Sequence, residues 1–367
     1  MAIAPMIPRL SILDRSRIRQ GSDGPRALRD TVDLARRAEA LGYHRFWVSE
    51  HHSVPGVAGS APTVLAAAVA SATDRIRVGT GGVMLPNHQP MVVAEQFGVL
   101  ESLFPGRIDM GLGRSVGFTG GIRRALGRDR TDADGFEEQL TELLGWLDGT
   151  QTAHPQVHAR PAEGLRVPAF VLATGEGAGI AARAGLPLVV GDLRDRDRVL
   201  KIVDGYRREF RPSARCERPY VIVSGTVAVA ATEEEARRLL VPEAWSAAYS
   251  RTHGSFPPLM PAEEVAALEM SPREREFYER ALAGHIHGTE DQVAAGLAAV
   301  AESTAPDELL VTTSSHDREA LVDSFSRLAR LAGLTGPTGP TGPTGLTRPA
   351  PPAGTPAESP AGPPGLR

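Results

Sequence analysis

The chain has 367 residues, 41% of them hydrophobic and 23% charged, which is enough to bury a full hydrophobic core. Its formal net charge of -4 argues against general binding to nucleic acids or to anionic membranes. The one cysteine, Cys216, excludes an internal disulfide framework and is typical of a reducing compartment. The sequence shows no signal-peptide pattern and no apolar run of about 20 residues. We therefore expect a cytoplasmic protein without a membrane anchor.

Short apolar strands alternate with amphipathic helices along most of the chain. Apolar runs predict strands at residues 10–13, 45–49, 75–85, 107–113, 168–173, 186–190, 220–230 and 307–313. Helical periodicity and end signals predict helices at residues 25–42, 61–73, 90–103, 134–147, 178–184, 196–210, 233–240, 290–302 and 317–331. Eight strands in this alternation favour a single (β/α)8 TIM barrel over an open doubly wound sheet.

Two segments depart from the regular spacing of this predicted barrel. Residues 241–287 form an insertion before the last strand, and it contains several aromatic side chains. Two interpretations stay open for it: a lid over the catalytic face, or a helical decoration or dimer contact. Residues 335–367 begin with a GPT repeat and continue rich in Pro, Ala and Gly, which predicts a disordered tail. The predicted domains are thus 1–334 for the barrel and 335–367 for the tail.

The stretch SEHHSVPG, at residues 49–56, places a carboxylate and two imidazoles at the end of the second predicted strand. Neighbouring side chains of a strand point to opposite faces, so Glu50 and His52 should share one side and His51 the other. This argues against a metal site that uses both histidines, and no other histidines have the ligand spacing of zinc sites. Since strand ends carry the chemistry of barrels, a histidine here is either a proton-transfer group or a structural one.

Several motifs, taken in order, resemble the luciferase-like flavin monooxygenases, the family of bacterial luciferase. They are FWVSEHH at 46–52, VGTGGVMLPNHQP at 78–90, LFPGRIDMGLGR at 103–114 and ATGEGAGIAARAGLP at 173–187. The resemblance implies a barrel that binds reduced FMN, supplied by a separate flavin reductase, at its C-terminal face. It also implies a 4a-peroxyflavin, formed with dioxygen, that oxygenates an organic, partly apolar substrate.

The resemblance also implies site residues. His51 matches the catalytic histidine of the family, and Glu50 matches the acidic residue before it. An imidazole with an ordinary pKa near 6.5 both donates and accepts protons near neutral pH. Gly81 and Gly82 fall where relatives carry a non-prolyl cis peptide beneath the flavin ring, although a plain bulge is the alternative.

The expected phosphate site lies on two other loops. Arg114 matches the arginine that binds the flavin phosphate, and a guanidinium pairs with two phosphate oxygens at once. Thr174 and Gly177 match the hydroxyl and helix-start positions of the phosphate loop, where backbone N–H groups favour an anion. Glu176, in the same loop, is an unfavourable neighbour for a phosphate unless it points to solvent.

Three functions remain open at this point. The first is a two-component FMN monooxygenase, and the second is an oxidoreductase that transfers hydride with a deazaflavin or FMN and inserts no oxygen. The third is a non-catalytic flavin-binding subunit that partners an active chain. The family commonly forms dimers, so we expect a homodimer, and no motif identifies the substrate.

Overall fold

Strands and helices form at most of the places that the apolar pattern indicated. The computed structural model describes residues 8–334 and residue 336. The strands are β1 (Arg9–Asp14), β2 (Arg45–Val48), β3 (Arg77–Thr80), β4 (Val83–Met84), β5 (Ile108–Gly113), β6 (Ala169–Ala173), β7 (Leu188–Val190), β8 (Val221–Gly225), β9 (Val227–Val229), β10 (Ile286–Gly288) and β11 (Glu308–Val311). Apart from Gly336, the predicted tail lies outside the described residues, and its boundary stays a prediction.

The helices surround these strands. They are α1 (Gly24–Ala40), α2 (Pro62–Ser71), α3 (Pro90–Leu103), α4 (Gly120–Ala125), α5 (Phe136–Asp148), α6 (Gly177–Arg183), α7 (Arg196–Glu209), α8 (Glu233–His253), α9 (Ala262–Ala266), α10 (Pro272–Leu282), α11 (Glu290–Thr304) and α12 (Arg318–Leu331). No helix in residues 8–334 is long and apolar enough to cross a bilayer.

Eight of the strands close into a parallel barrel. Around the barrel the order is β1, β2, β3, β5, β6, β7, β8 and β11, and β11 pairs with β1 to complete the ring. Every one of these pairings is parallel, so the carboxyl ends of all eight strands meet at one face. The predicted (β/α)8 barrel is confirmed.

Two predicted strands are each divided in the structure. Residues 75–85 form β3 and the short β4, separated by the cis peptide bond between Gly81 and Gly82. Residues 220–230 form β8, which belongs to the barrel, and β9, which pairs with β10 in a separate two-stranded sheet. A continuous apolar pattern does not reveal these breaks, because both pieces of each run are largely buried.

A buried ion network fills the barrel near the amino ends of its strands. Asp109 accepts from Arg45 at 2.7 Å and from Arg77 at 2.6 Å, and Trp47 Nε1 donates to the same carboxylate at 3.1 Å. Arg45 Nε lies 2.8 Å from Glu308 Oε1. Paired charges make the burial of these groups tolerable, whereas removing one partner would leave the others uncompensated. This network stabilises the end of the barrel opposite the carboxyl ends of the strands.

The insertion begins as a continuation of α8. The helix was predicted to end at residue 240, but it continues to His253 through the buried Pro242. α8 packs most extensively against α10, and apolar side chains of the added turns, such as Trp245, join a cluster separate from the barrel core. This packing offsets the cost of an internal proline, which local sequence cannot show. The loop after α8 then returns to the barrel, where Leu259 N donates to Ile18 O at 2.8 Å.

Candidate active site

The carboxyl ends of the barrel strands surround a cavity of about 440 Å³. Its apolar wall comes from four barrel strands, through Leu13, Leu172, Val189 and Leu310. The cavity is within the size range of small-molecule sites and lies at the face where barrel enzymes act. Five predicted site residues line it: Glu50, His51, Gly81, Gly82 and Thr174.

Glu50 is buried at the end of β2 and is held by three donors. Its carboxylate lies 2.7 Å from His52 Nε2 and 2.9 Å from His88 Nε2, and it accepts from the backbone N–H of Met84 at 2.8 Å. Burial alone would raise the pKa of this carboxyl, but the hydrogen bonds from His88, His52 and Met84 bring it below its ordinary value. Glu50 is therefore an ionised anchor between β2 and the β4 segment.

His51 points away from this anchor. Strand alternation predicted this arrangement, with Glu50 and His52 on one side of the strand and His51 on the other. Its backbone N–H donates to Gly59 O at 2.8 Å, and its Nδ1 lies 3.2 Å from Ser49 Oγ. The described residues give Nε2 no hydrogen-bond partner, so that nitrogen is free to contact a ligand. Glu50 does not orient His51, because its oxygens are engaged by other groups.

The environment of His51 changes its protonation. Burial, together with the positive charges of Arg15 and Arg17, lowers the pKa of His51 to about 4, and the opposing effect of Glu243 is smaller. The expected ordinary imidazole pKa is therefore wrong for this pocket. At neutral pH His51 is therefore uncharged.

Glycines leave much of the cavity surface without side chains. A Cβ added at Gly113 would have no neighbour nearer than 3.7 Å, and one at Gly191 none nearer than 3.9 Å, so neither glycine is required by close packing against its neighbours. At Gly82, by contrast, a Cβ would meet the Gly111 carbonyl oxygen at 2.8 Å. The backbone can therefore approach a flat ligand closely along this side of the cavity.

Arg114 and Gly177 do not line this cavity. The Arg114 guanidinium follows β5 and is clamped by two exposed carboxylates, Glu176 at 2.6 Å and Asp134 at 3.2 Å. Gly177 begins α6 and is buried, and a Cβ there would lie 2.9 Å from the Ala173 side chain. Its small size serves the packing of α6 on β6. Glu176, which the sequence marked as an unfavourable neighbour for a phosphate, forms an ion pair with Arg114.

Sequence reasoning missed three residues that surround Glu50 and His51. The position of His88 in the sequence matches no spacing typical of a functional site, yet the short helix after β4, Leu85–Asn87, brings His88 to Glu50. Arg15 and Arg17 follow β1, and only closure of the barrel between β1 and β2 places their charges beside His51. Within residues 8–334, no group of three or more His, Cys, Asp and Glu side chains is arranged to hold a metal ion.

Comparisons with known proteins agree on one family. A family model described as luciferase-like monooxygenase matches residues 8–308. N-acetyl-S-alkylcysteine monooxygenase of Bacillus subtilis (strain 168) is 38% identical over 248 residues, which cover 64% of this chain and 71% of that protein. The crystal structure of apo-MsnO8 is 30% identical with a TM-score of 0.80, and the match covers 90% of this chain and 99% of that one.

A more distant structure shares the fold. The oxygenating constituent of 3,6-diketocamphane monooxygenase from Pseudomonas putida was solved in complex with FMN. It is 18% identical, with a TM-score of 0.68, and the match covers 89% of this chain and 97% of that one. With the family model matching most of the chain, this chain belongs to the luciferase-like monooxygenase family.

Proposed function

We propose that the protein is the oxygenating component of an FMN-dependent two-component monooxygenase. It would use reduced FMN from a separate flavin reductase, dioxygen and an organic, partly apolar substrate. The observation that carries the proposal is a neutral His51 with a free Nε2 at the rim of a glycine-lined cavity. Membership of the luciferase-like monooxygenase family and a structural neighbour solved with FMN support it.

The cavity fits a flat, largely apolar ring system. Four apolar side chains of the barrel strands form part of its wall, and the lack of side chains at Gly113 and Gly191 leaves room for a planar group. Gly81 and Gly82 line the same cavity with backbone alone. These residues would hold the flavin ring by van der Waals contact and by burial of its apolar surface.

The phosphate of FMN would be held outside the cavity, at Arg114. The guanidinium is half-buried and forms a two-point contact with the two exposed carboxylates, the geometry that also suits a phosphate. A phosphate would displace Glu176, which is more than four-fifths exposed and returns to water at little cost. Thr174 lines the cavity and precedes Glu176, the ion-pair partner of Arg114, by two residues. Its hydroxyl would add a hydrogen bond to the phosphate.

Reduced FMN, when bound, supplies the electrons that activate dioxygen. The contribution of the chain is to place a proton acceptor beside that chemistry and to keep it uncharged. Arg15 and Arg17 disfavour a further positive charge, so His51 accepts a proton only when negative charge or an acidic group forms next to it. Ser49 would fix the imidazole through Nδ1; in the tautomer in which Nδ1–H donates to Ser49 Oγ, Nε2 is the nitrogen that receives the proton.

Oxygen dependence distinguishes this function from its alternatives. The protein would be supplied with FMN, NADH and a flavin reductase, with thioethers, aldehydes and ketones as candidate substrates; a thioether is included because one relative is named for S-alkylcysteines. We expect product only in air. Turnover without oxygen on a reduced deazaflavin would instead support hydride transfer, and no turnover in either arm would favour a non-catalytic subunit.

A pair of histidine variants tests the role of His51. His51→Ala should lower turnover by at least about 100-fold, the scale of a lost general base, with FMN affinity unchanged. The matched control is His158→Ala, since His158 is an exposed histidine that contacts Glu163 and does not line the cavity. Full turnover in His51→Ala contradicts the proposed role.

A further inference from the structure

A second cavity, of about 260 Å³, lies between the barrel mouth and α8. It adjoins the first, because Ser224 lines both. Phe118 of the first cavity and Phe256 of the second also face each other, with ring centroids 5.6 Å apart. An elongated molecule seated in the second cavity can therefore reach the edge of the first, with an apolar portion along the two phenylalanines.

The ion cluster at the far wall of the second cavity contains two positive groups and one negative group; Arg15 and Glu243 line the cavity, and Arg17 does not. Glu243 of α8 lies 3.1 Å from Arg15 and 3.6 Å from Arg17, so two guanidinium groups share one carboxylate. The other charged pair at this cavity, Arg194 and Asp192 at 2.6 Å, is balanced. In a partly buried site, an excess guanidinium favours a bound anion.

The same ion cluster has unused hydrogen-bonding groups. Among the described residues, Arg15 Nε and Glu243 Oε2 are buried and have no hydrogen-bond partner. Both side chains line the second cavity. Leaving a buried donor or acceptor unpaired is costly, so a donor and an acceptor left side by side indicate a ligand that supplies one of each.

We propose that the second cavity binds the polar end of the substrate, and that the substrate is an organic acid with an N–H or O–H donor near its carboxylate. The carboxylate pairs with Arg15, and the donor pairs with Glu243. The apolar remainder of the acid extends past Phe118 and Phe256 toward His51. The proposal rests on the proposed function for what happens at that reacting end, but the binding step itself needs no turnover.

Calorimetric titration of the full-length protein tests the binding step directly. The probes are N-acetyl-L-norleucine, which has a carboxylate, an amide N–H and an alkyl chain, and its primary amide, which lacks the carboxylate. The acid should bind at least about tenfold more tightly than the amide, the scale of one charge-assisted hydrogen bond. Equal affinity for the acid and the amide overturns the proposal.

Two variants should change the affinity for the acid in opposite directions, which misfolding cannot do. Arg15→Gln should weaken binding of the acid by about tenfold and leave binding of the amide unchanged. Glu243→Gln should strengthen binding of the acid, because it removes the negative charge beside Arg15 and keeps an acceptor oxygen. The control is Arg26→Gln, since Arg26 is an exposed arginine of α1 paired with Asp30 outside both cavities.

The outcomes separate this inference from the proposed function. Acid binding that depends on Arg15, in a protein that never consumes oxygen, supports the inference and contradicts the monooxygenase. Oxygen-dependent turnover with an affinity for the acid that Arg15→Gln does not alter contradicts the inference and leaves the monooxygenase in place. Weaker binding of the acid by Glu243→Gln also contradicts the inference.

Discussion

Acidification should destabilise the native protein more than it destabilises the His51→Gln variant. The pKa of His51 is about 4 in the folded protein, because burial and the charges of Arg15 and Arg17 disfavour the imidazolium. In the unfolded chain the pKa returns to its ordinary value near 6.5. Between these two values the unfolded chain binds a proton that the folded protein does not, so the free energy of unfolding falls as the pH falls.

The size of the effect follows from the two pKa values. The contribution is fully present above pH 6.5 and is lost progressively down to about pH 4. Relative to its value above pH 6.5, the free energy of unfolding should fall through His51 by about 2 kcal/mol at pH 5, and by about 3 kcal/mol once the pH is below both pKa values. Glutamine at position 51 has no titrating group, so its free energy of unfolding lacks this term.

Urea denaturation of both proteins at pH 7, 6 and 5 measures the difference. Other titrating groups, such as the buried His44, are common to both proteins and cancel in the comparison. The variant also alters the hydrogen bond to Ser49. This change shifts the free energy of unfolding of the variant by the same amount at every pH, so it does not affect how the difference between the two proteins varies with pH. Parallel curves would show that His51 titrates normally in the folded protein, and the account of its neutrality would fail.

Four further variants test other parts of the site and fold. Arg114→Ala should weaken FMN binding by about 1.5–3 kcal/mol in a fluorescence titration, whereas Glu176→Gln should strengthen it by freeing the guanidinium; unchanged affinity in both contradicts the phosphate site. Glu50→Gln should lower the free energy of unfolding at pH 7 by about 1–3 kcal/mol, because its two histidines and a backbone N–H lose an ionised acceptor, and a smaller loss than for an exposed Glu→Gln change would contradict the anchor. Asp109→Asn should cost about 3–5 kcal/mol in urea denaturation, because it leaves two buried arginines without their counter-charge; a loss below about 1 kcal/mol would show that the network is dispensable.

The location of the site was predictable from local pattern. Strand and helix periodicity identified eight barrel strands, and the polar stretch at the end of β2 indicated that one of its histidines is a proton-transfer candidate. The resemblance to the family then selected His51. Strand alternation correctly separated His51 from Glu50 and His52, because a period of two is a property of the extended backbone itself. The family was recognised from its sequence motifs, because each motif spans a strand end and the loop that follows it, where barrel sites are built.

Contacts between distant segments were not predictable. Local pattern does not show that His88 binds Glu50, that Glu176 clamps Arg114, or that α8 continues through Pro242. Each depends on packing partners that are distant along the chain, and the energies of such contacts overrule local preferences.

The sequence by itself therefore determined the barrel, its family and the strand end that carries the imidazole, because backbone periodicity is local. Only the tertiary structure decided the protonation of that imidazole. Closure of β1 against β2 and the return of the insertion to the barrel mouth place Arg15, Arg17 and Glu243 around His51, and the pKa of a buried group is set by the charges that surround it in space.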